Sequence, residues 1–244
     1  MVAIGPTAAN SWQSDDTRID LTRPRLAARP VRVAATPKDV VIDLAAAAMV
    51  VIDMQNRFCH QALWPDGSVR PTRAAIAPLQ RLLPVLRGAA VPVVWVNWGN
   101  RADRMNLPPN VIRPFAPDGS RDAFLAAGSW EAEIDRALAP AADDIHVDKY
   151  RISGFVDTPL DSILRNLRVS TLLFAGVNLD QCVYATLLDA AGLGYDCVLV
   201  EDCAATASPD YCTQATLYNV RRGFGFVVRA DDIIAGCNGA AGAR

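Results

Sequence analysis

A thiol, a carboxylate and an amine stand at three widely separated points of this chain. Cys182 lies in "FAGVNLDQCVYATLLD" (174–189), where a continuous apolar stretch passes through a short polar turn into helical spacing. A thiol at the start of a helix faces backbone N–H groups that favour negative charge, which lowers its pKa and makes it a nucleophile. The same N–H groups can hold an oxyanion. Asp53 closes "MVVID" ahead of "MQNRF"; a carboxylate sharing a pocket with a thiol can accept its proton, the requirement for a general base. Lys149 sits in "VDKYRISGF", and beside the other two its ammonium would hold a thiolate and keep the acid oriented. Singly, each has a plainer reading: buried filler for the cysteine, a loop-bonding cap for the aspartate, a solvated surface group for the lysine. Nucleophilic chemistry follows only if all three meet.

The elements around them predict such a meeting. From Ala47 onward, short β-branched runs without polar alternation are separated by helix-length amphipathic stretches, the pattern of strands buried on both faces of a parallel sheet. The predicted strands are "AMVVIDM", "VPVVWVN", "DIHVDK", "TLLFAGV", "CVLVEDC" and "FGFVV", with helices near 72–88, 129–138, 158–168, 182–193 and 209–222. Val183, Leu187, Ala190 and Ala191 give the fourth helix a face to pack on a sheet. The fold class this implies is a three-layer α/β/α domain with a mostly parallel six-stranded sheet. Chemistry in such sheets gathers outside the carboxyl ends of the strands. Asp53, Asn97, Lys149, Asn178, Cys182 and Asp202 all fall there.

Composition narrows the classes. At 244 residues the chain suits one large domain, and a formal net charge of −2 without a basic, aromatic-laced patch argues against nucleic-acid binding. Six cysteines without a CxxC pair, and no secretory-type leader, predict free thiols in a reducing cytoplasm. The longest apolar run, "LAAAAMVVI", is too short to span a bilayer. His60 and His146 are the only histidines, so a metal site and a Ser-His-Asp triad are both poorly supplied, and Cys59 beside His60 does not make a ligand pair. "GLG" at 192–194 follows no phosphate-binding pattern, and no cofactor is implied. Residues 1–43, with Pro6, Pro24, Pro30 and Pro37 and the β-like runs "VRVAA" and "DVVID", read as an arm wrapping the domain or a neighbouring subunit, mobile through about Asn10. The domain then runs over 44–236 and a flexible tail over 237–244, "CNGAAGAR".

Three motifs in this order, "VVIDMQNRF", "DKYRISGF" and "AGVNLDQCVYAT", make residues 45–230 resemble the isochorismatase-like cysteine hydrolases. "GSWEAEIDRALAP", "SGFVDTPLDSILRNL" and "ATLYNVRRGFGFV" look most like the ureidoacrylate amidohydrolase and biuret/triuret hydrolase branch. The resemblance implies catalytic roles for Asp53, Lys149 and Cys182, a cis peptide at Val177–Asn178, and an oxyanion hole from the amides of Asn178 and Cys182. It implies a pocket from Phe58, Asn97, Trp98, Tyr150, Ser153 and Gln214, with Arg101, Arg104 or Arg151 as partners for a substrate carboxylate. "WVNWGNRADR" lacks the histidines of the metal-binding nicotinamidase branch, Cys182 argues against the branch that cleaves isochorismate, and Ile152 stands where the ureidoacrylate branch leads one to expect a tyrosine. The implied activity is hydrolysis of a small ureido or carbamoyl compound with release of ammonia, by a homodimer or homotetramer. Hydrolysis of N-carbamoyl amino acids or simple carboxamides, and a non-catalytic binding or assembly role, remain open alternatives.

Overall fold

A computed structural model describes residues 1–63 and 70–242. Its centre is a six-stranded sheet built from β6 (Ala47–Ile52), β7 (Val93–Trp98), β8 (Ile145–Lys149), β9 (Thr171–Val177), β10 (Asp196–Ala205) and β11 (Phe226–Val228). The arm supplies β1 (Val2–Thr7), β2 (Asn10–Ser14) and β3 (Ile19–Asp20) as one small sheet, and β4 (Pro30–Val33) with β5 (Val40–Asp43) as a hairpin. The helices are α1 (Asn56–Cys59), α2 (Ile76–Gly88), α3 (Pro109–Ile112), α4 (Leu160–Leu167), α5 (Tyr184–Gly192), α6 (Asp210–Asn219) and α7 (Ala230–Gly242).

The sheet order is β8-β7-β6-β9-β10-β11, every neighbouring pair parallel. Strands β6, β7 and β9 are buried throughout, which is why their sequences carry apolar residues without alternation. Met49, Val51, Trp95, Leu173 and Val200 face Leu79, Leu82 and Leu86 of α2 and Ile233 of α7. The other face offers Val50, Ile52, Val96, Phe174 and Leu199 to Leu160 and Leu164 of α4 and Leu187 and Ala190 of α5. This is the three-layer parallel α/β architecture read from the sequence.

Strand order reverses between β6 and β9, and in doubly wound sheets such a switch point opens a crevice at the carboxyl edge. Gly176 lets the two strands close there. Its φ is +116°, and a Cβ would lie 2.0 Å from the Ile52 carbonyl oxygen, so a side chain cannot be accommodated.

One predicted helix is absent. No α-helix forms over 129–138; 3-10 turns at Trp130–Ala132 and Arg136–Leu138 flank an extended stretch. That stretch pairs with the loop after β6: the Asn56 amide donates to the Glu133 carbonyl (2.8 Å) and the Asp135 amide to Met54 (2.9 Å), long-range bonds that outweigh helical spacing. The arm's first residues pair with β2, and Thr36 exchanges two backbone bonds with Val227 (2.9 and 3.0 Å), covering the β11 edge. Residues 237–242 of the expected tail continue α7, leaving 243 and 244 outside the described residues. Among the described residues no helix is long and apolar enough to cross a membrane.

Candidate active site

Asp53 and Cys182 leave the sheet on either side of the switch point, and Lys149 reaches them from the end of β8 at the sheet's edge. The chain turns immediately after β6 because Asp53 is left-handed (φ 53°), a conformation aspartate tolerates better than most residues. The peptide bond Val177–Asn178 is cis. After it the Asn178 carbonyl accepts the amides of Gln181 (3.1 Å) and Val183 (3.2 Å), so the chain enters α5 through a widened i+5 turn, Leu179–Val183, that contains Cys182. Cys182 therefore lies within this opening turn and not at the first residue of α5.

The three side chains form one buried cluster, with Lys149 0%, Asp53 1% and Cys182 6% exposed. Lys149 Nζ stands 3.0 Å from Asp53 Oδ2, 3.4 Å from Cys182 Sγ and 3.1 Å from the Arg151 carbonyl oxygen. An ammonium has three protons, and here it has three acceptors. The face of the Trp98 ring lies 3.7 Å from the same nitrogen, ring centroid to Nζ, a desolvated cation–π contact. Burial of a lysine is thus offset by a carboxylate, a sulfur, a carbonyl and an aromatic face at once.

Burial also governs the two acids. It pushes the Asp53 carboxyl above its ordinary range, against the opposing charge of Lys149 and smaller influences from Cys182 and Trp98. It pushes the Cys182 thiol up to about 12, Lys149 opposing and Asp53 adding to the rise. In the closed site the cysteine is therefore a protonated thiol next to an acid of enhanced proton affinity. Lys149 is the charged partner of Asp53 Oδ2 (3.0 Å), and the Cys182 thiol and Trp98 indole N–H also act on this carboxylate, favouring its charged form. A carboxylate, an ammonium and an indole N–H gathered around one sulfur are the groups a small polar ligand would meet here.

Cys59 and Cys197 are pushed up to about 12 as well, each chiefly by burial. Below the ordinary thiol value of 9.0 both folded and unfolded chains hold these protons. Above it the unfolded chain releases them while the folded chain keeps them, so stability falls as pH climbs from about 9 toward about 12. The loss is about 1.4 kcal/mol per pH unit for each such thiol. Urea titrations at rising alkaline pH are expected to show a steadily falling midpoint; a constant midpoint through that window would disprove the assignment.

The remaining sequence-derived pocket residues divide. Trp98 joins the cluster directly. Phe58 lies one layer out, edge-on to Phe115 (6.3 Å), which meets Trp98 (6.0 Å) and stacks on Phe124 (4.7 Å). Tyr150 gives its hydroxyl hydrogen to the Asp157 carbonyl (2.8 Å), and the Ser153 hydroxyl accepts the Phe155 amide (3.2 Å). Asn97 is not brought to the triad. In β7 its side chain alternates with that of Trp98, and both residues border a cleft of about 520 Å³ with His146 and Asp148. Gln214 stays exposed on α6, outside the buried cluster. The three arginines have partners: Arg101 pairs with Asp103 (2.6 Å), Arg104 donates to the Ser120 carbonyl (2.9 Å), and Arg151 pairs with Asp157 (3.0 Å). Among the described residues no group of three histidine, cysteine, aspartate or glutamate side chains is placed to hold a metal ion.

Two residues inside the recognised motifs had no role assigned from sequence. Gln55 is fully buried; its Oε1 accepts the Trp98 amide (2.9 Å), and its Nε2 donates to the carbonyls of Trp98 (2.8 Å) and Ala132 (2.7 Å). Thr186 donates to the Cys182 carbonyl (2.6 Å) and accepts the Gly154 amide (2.9 Å), joining the cysteine motif to the lysine motif. Replacing Gln55 with leucine is expected to lower unfolding stability by roughly 2–4 kcal/mol, since it strands buried peptide groups at Trp98 and Ala132. Denaturant titration would show it, and an unchanged midpoint would mean that the bracket around Trp98 contributes nothing.

A doubly wound parallel sheet with an acid, an ammonium and a thiol buried together at its switch point is the arrangement of an isochorismatase-like hydrolase. The chain belongs to the isochorismatase family, whose domain matches residues 47–232. Its similarity extends to ureidoacrylate amidohydrolase RutB of Rhizobium rhizogenes, 32% identical over 225 residues, which cover 87% of this chain and 92% of that one. A cysteine hydrolase of Pseudomonas syringae pv. phaseolicola superposes with a TM-score of 0.71 at 28% identity, over 82% of this chain and 95% of its own. N-carbamoylsarcosine amidase from Thermoplasma acidophilum gives a TM-score of 0.63 at 28% identity, over 76% and 96%.

Proposed function

We propose that the chain hydrolyses a C–N amide bond of a small ureido or carbamoyl compound through a covalent intermediate on Cys182, releasing ammonia. The observation that carries this reading is the Lys149 ammonium held between Asp53 and Cys182 in a buried cluster. Because the thiol is protonated at rest, its proton passes to Asp53 as sulfur attacks the carbonyl carbon. Lys149 steadies the transferring charge. The oxyanion forms against the amides of Asn178 and Cys182, the turn's i+5 closure on the Asn178 carbonyl having bypassed the Cys182 amide.

Protonated Asp53 next gives that proton to the departing nitrogen; the C–N bond breaks, ammonia leaves, and a thioester or thiocarbamate remains. Water, deprotonated by the same carboxylate, adds to this intermediate and expels the Cys182 sulfur, which recovers its proton. One carboxylate acts as base and then as acid, a task favoured by the raised proton affinity that burial confers. Ureido and carbamoyl groups offer coplanar C=O and N–H functions, which the Asp53 carboxylate and the Trp98 indole N–H at this site can bond. The names of the similar proteins, ureidoacrylate amidohydrolase and N-carbamoylsarcosine amidase, support this substrate class.

Ammonia release measured across ureidoacrylate, biuret, triuret, N-carbamoyl amino acids, simple carboxamides and nicotinamide tests the reading. Turnover is expected within the ureido and carbamoyl group. Release from simple carboxamides alone would reassign the substrate class, and no release from any compound would remove the catalytic reading.

A further inference from the structure

The turn that carries Cys182 is held from outside by a loop to which neither the motifs nor the proposed mechanism assigns a part. Strand β10 breaks register after Leu199 and resumes beside the end of β9, pairing Ala204 with Gly176 and Ala205 with Val177. The next three residues then meet the cysteine turn almost one for one. Thr206 Oγ1 donates to Asp180 Oδ1 (2.6 Å), the Ala207 amide donates to Asn178 Oδ1 (3.3 Å), and Gln181 Nε2 donates to Ser208 Oγ (3.4 Å). The Thr206 hydroxyl also accepts the Ser208 amide (3.0 Å), so both its donor and an acceptor site are in use and its orientation is determined.

We propose that the Thr206–Asp180 bond is a positioning clasp that sets the place of Cys182 relative to Lys149 and Asp53. The need for it follows from the turn itself. An i+5 closure is looser than regular α-helix, and Cys182 sits inside it, two residues beyond Asp180. The Sγ to Nζ separation of 3.4 Å is an ordinary N–H···S contact, and its length is set by where the turn holds Cys182, so an outward displacement of the turn would separate thiol from ammonium. Of the three contacts across the loop, Thr206 to Asp180 is the shortest and involves a charged acceptor, which makes it the strongest. Thr206 and Asp180 are positioning residues: they act through the backbone of the turn. Their catalytic consequence rests on the hydrolase reading, but their hold on the turn does not.

The test is a double-mutant cycle of Thr206→Val and Asp180→Ala, read in two ways. Hydrogen exchange of the amides in 178–183 is expected to quicken roughly tenfold in either single variant and no further in the double. On whichever ureido compound is turned over, kcat is expected to fall roughly tenfold with KM within about twofold, again without addition in the double variant. Thr206→Ser keeps the hydroxyl and should restore both readouts; if Thr206→Val does not fold, Thr206→Ala takes its place. Additive effects, unchanged exchange of the turn, or a Thr206→Ser variant as impaired as Thr206→Val would overturn the clasp. If no ureido compound is hydrolysed the hydrolase reading fails, and the exchange measurements still decide whether the clasp exists.

Discussion

Cys182→Ala is expected to abolish ammonia release, a fall of about ten-thousandfold or more in kcat, while the fold survives. The size of the effect follows from the composition of the cluster. Lys149 is occupied by three acceptors and Asp53 is an acid, so among the described residues of the cluster only Cys182 supplies a nucleophile. Substituting alanine removes one sulfur from a buried position, a packing change of about 1 kcal/mol. Activity and stability therefore separate: near-complete loss of turnover with a melting temperature close to that of the unaltered chain. Cys182→Ser restores a hydrogen-bonding group of similar shape, but its hydroxyl is far less acidic and its expected rate remains at least about a thousandfold down. Steady-state ammonia assays together with thermal melts would show the separation. Full activity in the alanine variant would require another nucleophile and would dismantle the proposed chemistry.

Lys149→Met is expected to damage both properties. The substitution preserves volume but leaves Asp53 buried with no cation beside it, and breaking one side of a buried ion pair costs about 3–5 kcal/mol. Part of that cost is avoided if Asp53 takes up a proton, to which burial already inclines it; such an acid can no longer accept the thiol proton. Loss of turnover by at least about a hundredfold is the expected companion. The Asp53→Asn/Lys149→Met pair removes both charges and should recover most of the lost stability without recovering activity. If the single lysine variant is as stable as the unaltered chain, the ammonium is not compensating a buried carboxylate, and the electrostatic account of the site is wrong.

The meeting of these three side chains was legible because strand-end position is a topological property. Asp53 follows β6, Lys149 ends β8 and Cys182 lies in the turn after β9, and a parallel sheet brings such ends to one edge whatever the intervening helices do. What strand ends do not reveal is which face of the sheet a side chain takes. Asn97 and Trp98 are adjacent, and the two-residue period of β7 sends them apart, so placing both at the site required knowing the register. Gln214, named as a pocket candidate, lies just before the quoted segment, and its helix leaves it in solvent. The extended pairing of 133–135 with 54–56 defeated the helical spacing of 129–138 because its partners are distant in the chain. Gln55 and Thr186 lay within the quoted motifs, but a neutral amide or hydroxyl acquires meaning only when the peptide groups it bridges have been assembled.

Acid-quench mass spectrometry during turnover of a ureido compound tests the sulfur's role most directly. The peptide containing Cys182 is predicted to carry an adduct equal to the substrate less ammonia, and prior alkylation of that thiol is predicted to abolish both adduct and turnover. Undiminished hydrolysis by a chain whose Cys182 is fully blocked would contradict the account.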